Sequence, residues 1–224
     1  MRIAFFGGSF DPPHHGHLAV ARAARTALAL DQVLFAPVGR QPLKPLGSSA
    51  PFDDRVAMTR LAIADDPAFS LSFADAPSPH PNYTIDTLGE LRREHPHAEI
   101  FCLLGADSFL ALPHWHRGAE LPFTAPLIVA ARPGQSLADL AHILPAGLTL
   151  ASPPAPVSAP RDIQLQRATL ENADGQIAPL YLLPGLHIDL SATELRLQLR
   201  DPQHHPGLPE PLFRYIATHH IYRD

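Results

Sequence analysis

The sequence predicts an α/β protein: a doubly wound, Rossmann-like parallel sheet with a small C-terminal helical appendage. Two observations carry that prediction. Short apolar runs alternate with helical patterns as far as Ala131, and strand–helix–strand repetition implies parallel pairing through right-handed crossovers. A glycine pair, Gly7-Gly8, joins the first apolar run to the first helical pattern, which is where such sheets open to ligands.

The elements follow in order. Ile3–Phe6 is apolar at every position and reads as a buried strand. A helix from about Gly16 to Ala29 carries Leu18, Ala21 and Leu28 beside Arg22 and Arg25. Gln32–Pro37 is a second strand, and Phe52–Ala64, with Val56, Leu61 and Ile63, a second helix. Phe69–Phe73 is a third strand, and Thr84–Glu94 a helix with Ile85, Leu88 and Leu91 at three-residue spacing. Ile100–Leu104 and Leu127–Ala131 complete the regular part.

Beyond Pro133 the pattern weakens. Ser136–Leu144 reads as a short helix, Leu180–Leu183 as a strand, and Leu150–Ala178 as loop-rich. The proline clusters Pro79–Pro81, Pro153–Pro160 and Pro202–Pro211 read as loops too. Ser191-Ala192-Thr193-Glu194 has the form of a capping box, so a helix should start at Ala192. A last helix covers about Glu210–His219. Residues 1–224 are expected to form one domain, its C-terminal helical part running from about 186 to 224.

Composition narrows the class. The 224 residues are 46% hydrophobic and 17% charged, with a mean hydropathy of -0.02, as in a globular protein with a full core. A formal charge of -5 and a pI near 6.2 argue against nucleic acid or an anionic membrane as partner. Cys102 is the only cysteine, which rules out an intrachain disulfide and a multi-cysteine zinc site. The apolar run Ile3–Phe6 is too short for a leader, and Leu121–Ala131 holds two prolines and falls short of a membrane span. The expected compartment is the cytoplasm.

Chemistry concentrates in the first turn, Gly7-Gly8-Ser9-Phe10-Asp11-Pro12-Pro13-His14-His15-Gly16-His17. The glycines let a ligand approach the backbone. The helix start at Gly16 offers N–H groups and a positive dipole end. His14 and His17, three residues apart, add donors suited to phosphate oxygens. A histidine-rich loop that holds a metal is the competing reading, but no acidic ligand pattern accompanies it. Neither a dinucleotide Gly-x-Gly-x-x-Gly nor a Gly-Lys-[Ser/Thr] loop occurs here. Ser191, Thr193 and Arg196, at the start of the later helix, make a second anion cradle when read beside the first.

Gly7, Gly8, Phe10, Asp11, Pro12, His14, Gly16 and His17 resemble the His-x-Gly-His signature of the nucleotidyltransferase superfamily. Ser191-Ala192-Thr193-Glu194-Leu195-Arg196 is similar to its C-terminal Ser-[Ser/Ala]-Thr-x-x-Arg element, which grips the triphosphate. The resemblance sharpens to the bacterial nicotinate-nucleotide adenylyltransferases over nearly the whole chain. Pro81-Asn82-Tyr83-Thr84-Ile85-Asp86-Thr87 looks like that family's Ser-Tyr-Thr-x-x-Thr segment. Gly105-Ala106-Asp107-Ser108 looks like its Gly-x-Asp-Ser, Pro113-His114-Trp115 its Pro-x-Trp, and Ala131-Arg132-Pro133-Gly134 its Arg-Arg-Pro-Gly. Leu208-Pro209, running on through Leu212 to Tyr215-Ile216, resembles its C-terminal end.

The resemblance implies adenylyl transfer from ATP, with Mg²⁺ carried on its phosphates, to nicotinate mononucleotide in NAD biosynthesis. It implies ATP contacts from Gly7, Gly8, Ser9, Phe10, His14, Gly16, His17, Gly105, Asp107, Ser191, Thr193 and Arg196. His14, His17, Lys44 and Arg196 would hold the reacting phosphates. Tyr83, Thr84, Asp107, Trp115 and Arg132 would hold the pyridine nucleotide, with Tyr83 and Thr84 on its carboxylate and Trp115 stacked on its ring. No protein metal site is implied. Two departures stand out: Leu43 replaces the family's histidine, leaving Arg40 and Lys44 as cations of that loop, and Ala131 replaces the first arginine of its pair. The alternatives are a nicotinamide-mononucleotide or dual-specificity enzyme, a phosphopantetheine adenylyltransferase, and a non-catalytic nucleotide- or metal-binding module.

Overall fold

In the computed structural model, residues 1–41, 43, 47–131, 143–160, 163–186, 191–201 and 207–223 are described. Strand β1 (Arg2–Gly8) runs into α1 (His15–Leu28), and β2 (Gln32–Pro37) into α2 (Phe52–Ile63). Next come β3 (Phe69–Leu71), α3 (Thr84–Glu94) and β4 (Glu99–Gly105). Two short helices, α4 (Ala106–Leu110) and α5 (Leu121–Thr124), lead to β5 (Leu127–Ala130). Strands β6 (Leu148–Val157), β7 (Leu165–Asn172) and β8 (Ile177–Leu183) precede α6 (Ala192–Gln198) and α7 (Glu210–Thr218). The predicted bounds of β2 and α3 coincide with those observed.

One eight-stranded sheet results, in the order β3-β2-β1-β4-β5-β8-β7-β6. Pairing is parallel from β3 across to β8. The inner strands are buried on both faces, which is why they read as continuous apolar runs rather than alternating ones. Ile3 and Phe5 of β1, with Cys102 and Leu104 of β4, meet Ile85, Leu88 and Leu91 of α3 on one face. Ala4, Phe6, Phe101 and Leu103 point the other way, against Leu18, Ala21, Ala24 and Leu28 of α1. The predicted double winding is therefore present. Met58 and Ala62 of α2 pack against Leu212 and Ile216 of α7, so the C-terminal helices join the body through α2.

The loop-rich reading of Leu150–Ala178 is overturned. Strands β6 and β7 form a hairpin, and β7 pairs antiparallel with β8, extending the parallel sheet. Pro153, Pro154 and Pro156 lie inside β6. A proline cannot donate to a ladder, but β6 pairs only with β7 and forms the sheet edge, where that loss is tolerated. Register shifts between Leu150 and Ser152 and between Ser152 and Ala155 absorb the irregularity. The helix predicted over Ser136–Leu144 lies outside the described residues except at its end. No helix among the described residues is long and apolar enough to cross a membrane.

The chain winds from β1 outward through β2 to β3, then crosses to β4 on the other side of β1. The crevice between the carboxyl ends of β1 and β4 is thus a topological switch point, the expected ligand position.

Candidate active site

A cavity of about 890 Å³ opens at that switch point. Gly7, Gly8, His14 and His17 line one side, Tyr83, Thr84 and Trp115 another, and Thr193 and Arg196 a third. Four segments far apart in sequence are therefore brought together as expected.

The turn after β1 has an internal scaffold. Phe10 adopts φ 46, a left-handed conformation uncommon for a bulky residue. Its buried ring packs edge-on against Phe6 and His17, with centroids 5.5 and 5.1 Å away, and that packing offsets the backbone cost. The Asp11 carboxylate is buried and accepts three hydrogen bonds: from Ser49 N at 2.6 Å, Ala50 N at 3.1 Å and the Tyr222 hydroxyl at 2.6 Å. Beneath it, buried Arg55 of α2 donates to three carbonyls, those of Ser9 (2.8 Å), Val38 (2.9 Å) and Ala50 (3.3 Å). Burial lowers the Arg55 pKa, while the Asp11 and Tyr222 groups pull it back up. The Tyr222 hydroxyl is pushed up by burial and by Asp11, so it stays a neutral donor. Every buried side-chain polar atom among the described residues has a partner.

The histidines do more than flank the helix start. His14 is the N-cap of α1, and its Nδ1 accepts from Gly16 N at 3.1 Å. In return His17 Nδ1 accepts from His14 N at 3.2 Å. One N–H expected to face the ligand is therefore already occupied. The same bonds fix the tautomer, because a neutral ring that accepts at Nδ1 carries its proton on Nε2. Two Nε2–H donors result on rings whose centroids are 3.9 Å apart. Gly7 is required by space: a Cβ there would come within 2.9 Å of the Phe5 ring and 3.4 Å of Asp75 Oδ2.

At the second cradle, α6 starts at Ala192 as predicted, but the Ser191 side chain makes no capping bond. Ser191 also stands apart from the cavity lining, whereas Thr193 and Arg196 are part of it. Arg196 donates to the Asp11 carbonyl at 2.8 Å and to Thr193 Oγ1 at 3.2 Å, which ties the cradle to the first turn. Gly105 and Asp107 sit at the N-terminus of α4 and line the cavity. Ser9 Oγ donates to Gln41 Oε1 at 3.0 Å. Lys44 and Arg132 lie outside the described residues.

On the remaining side, Tyr83 precedes α3 and Thr84 begins it, with no side chain capping that end. The Tyr83 ring lies 4.2 Å from the His116 ring at 30° between planes. Trp115 is half-buried against the core. Asn82, in the family's serine position, bridges two loops by accepting from Arg40 N and donating to Ala76 O, each at 3.0 Å.

Sequence reasoning missed Arg55, Tyr222, His116 and Asp75. Asp75 is only 4% exposed, and its Oδ1 accepts from Thr87 Oγ1 at 2.5 Å. Burial pushes its pKa up to about 6, against the opposing pull of the Thr87 hydroxyl. Its partner lies twelve residues on in another element, so no local pattern announces it.

Known proteins resemble this chain over nearly its whole length. The cytidylyltransferase-like family profile matches residues 5–196. A probable nicotinate-nucleotide adenylyltransferase of Geobacter metallireducens is 36% identical over 223 residues, 99% of this chain and 98% of that protein. One of the same description from Thermus thermophilus is 36% identical over 225 residues and the full length of both. Among solved structures, Plasmodium falciparum nicotinic acid mononucleotide adenylyltransferase complexed with NaAD superposes with a TM-score of 0.70 at 18% identity, covering 99% of this chain and 97% of that one.

Proposed function

The chain belongs to the cytidylyltransferase-like family, among the nicotinate-nucleotide adenylyltransferases, and from that premise we propose how its residues carry the reaction. It transfers the adenylyl group of ATP to nicotinate mononucleotide, giving nicotinate adenine dinucleotide and pyrophosphate. A phosphate oxygen of the mononucleotide attacks the α-phosphorus in line, the α–β bridging P–O bond breaks, and pyrophosphate departs with the electron pair. That attacking phosphate is anionic near neutral pH, so no side chain needs to remove a proton. The protein contributes position and charge.

His14 and His17 direct their Nε2–H groups at the α- and β-phosphates. Gly7, Gly8, Ser9, Phe10 and Gly16 shape the turn around them, with Thr193 and Arg196 closing from the other side and Lys44 adding a contact. Gly105 and Asp107 meet the nucleotide sugars. Tyr83 and Thr84 receive the substrate carboxylate at the start of α3, where an anion is favoured and a neutral amide gains less. Trp115 stacks on the ring, and Arg132 supplies a further cation. Mg²⁺ enters as part of the ATP substrate; the Asp11 carboxylate, already accepting three bonds, is not a free ligand for it. We read residues 1–224 as one nucleotidyltransferase domain working in the cytoplasm without nucleic acid.

The carrying observation is the Arg196 bond to the Asp11 carbonyl, which joins the two proposed phosphate-binding elements within one cavity. The test is pyrophosphate release from Mg-ATP with nicotinate mononucleotide and, separately, nicotinamide mononucleotide. A strong preference for the acid is expected. Equal use of both would make the chain a dual-specificity enzyme, and no turnover with either would overturn the reading.

A further inference from the structure

One carboxyl in the cavity wall plays no part in the phosphate end. Asp75 follows β3, and its backbone carbonyl accepts from Gly39 N at 2.7 Å, which anchors the turn. Its Oδ1 is held by Thr87, one turn into α3 from Tyr83 and Thr84. Its Oδ2 lies 3.4 Å from where a Gly7 Cβ would stand, beside the start of the phosphate turn. The carboxyl thus sits between the phosphate turn and the start of α3, and among the described residues no donor reaches Oδ2. Nor does a basic side chain among them answer its charge. The nearby Cys102 thiol is pushed up by burial and by Asp75 itself, so it is neutral.

Nicotinate mononucleotide carries an anionic phosphate, a cationic quaternary ring nitrogen and an anionic carboxylate, in that order. The cavity offers histidine donors, then Asp75, then a helix N-terminus, an alternation of the opposite sign. We propose that Asp75 is the counter-charge for the pyridinium ring of the bound substrate. The inference rests on the proposed function. It adds a substrate-binding residue and a reason for keeping a buried carboxylate in the cavity wall. An ionised Asp75 beside the substrate carboxylate would repel it, so the ring is the part it meets.

The test uses the full chain and Asp75→Asn, which is isosteric and uncharged. KM for nicotinate mononucleotide should rise at least about tenfold, with KM for ATP unchanged, since a close charge pair contributes that much or more. The decisive probe is the C-nucleoside phosphate bearing a benzoate ring, in which carbon replaces the ring nitrogen and the ring is neutral. The wild type should bind the pyridinium compound in preference to this analogue; Asp75→Asn should bind the two alike, and Asp75→Glu should retain part of the preference. Equal weakening of both ligands in Asp75→Asn would overturn the proposal, as would an unchanged KM or parallel losses for ATP. A wild type that fails to use nicotinate mononucleotide at all would sink the proposed function first.

Discussion

The two ends of the cavity are built differently. At the end proposed for the phosphates, the turn is held from below by Arg55, from the side by Ser49 and Ala50, and from the C-terminal region by Tyr222 and Arg196. Both histidine rings are fastened through Nδ1. At the end proposed for the pyridine ring, the lining is aromatic rings, a helix start without a side-chain cap, and one carboxyl whose Oδ2 meets no donor among the described residues. The contrast teaches where preorganisation is placed. Phosphate chemistry needs donors held still before the substrate arrives, and the fold spends buried polar bonds on that. The other end is left for the substrate to complete, so specificity and stability separate there.

The sharpest way to break the contrast is Arg55→Met. Three carbonyls lose their donor and Asp11 its buried cation, so stability should drop by about 3–5 kcal/mol, read by urea unfolding, with kcat/KM falling for both substrates. His17→Ala keeps the Arg55 and Asp11 bonds, gives up the acceptor for His14 N and the ring packed on Phe10, and removes a donor proposed to face the phosphates. Its kcat should fall on the order of 10²–10³-fold with KM for nicotinate mononucleotide little changed, measured by steady-state kinetics.

Asp75→Asn should act in the opposite sense on stability. The folded-state pKa, about 6, exceeds the ordinary carboxyl value of 3.8, so the folded protein binds more protons between those values. Stability contributed by the protonated carboxyl is present at low pH and lost as pH rises through about 6. The variant should therefore exceed the wild type by on the order of 1–3 kcal/mol at pH 7–8. Melting curves across pH should show the gap closing towards pH 4. A variant that is more stable yet weaker for the pyridine nucleotide would separate the two ends most clearly. The smallest effect is expected from Tyr222→Phe, which removes one of three donors to Asp11. A loss of about 1.5 kcal/mol and a several-fold rise in KM for ATP alone should follow, by thermal unfolding and kinetics.

Most of the parallel sheet was legible because its strands are buried on both faces and its helices carry one apolar stripe. The bounds of β2 and α3 needed no tertiary information. The β6 strand was not legible, since Pro153, Pro154 and Pro156 are breakers everywhere except at an edge, and edge position is a property of the assembled sheet. The turn Gly7–His17 was legible because its donors lie close together in sequence. The capping box at Ser191 was read from pattern and did not form. Arg55, Asp75 and Tyr222 act on partners in other elements, and a linear pattern holds no record of such pairings.

The Tyr222 bond to Asp11 spans 211 positions, and it bears on the order in which a ribosome delivers this chain. Asp11 is made well before one of the donors to its carboxylate, Tyr222. Strand β4, which closes one side of the crevice, is synthesised between the two. A nascent chain can therefore form β1 and α1 and still lack the contact that finishes the phosphate turn. The last increment of nucleotide affinity should therefore wait until Tyr222 has been made.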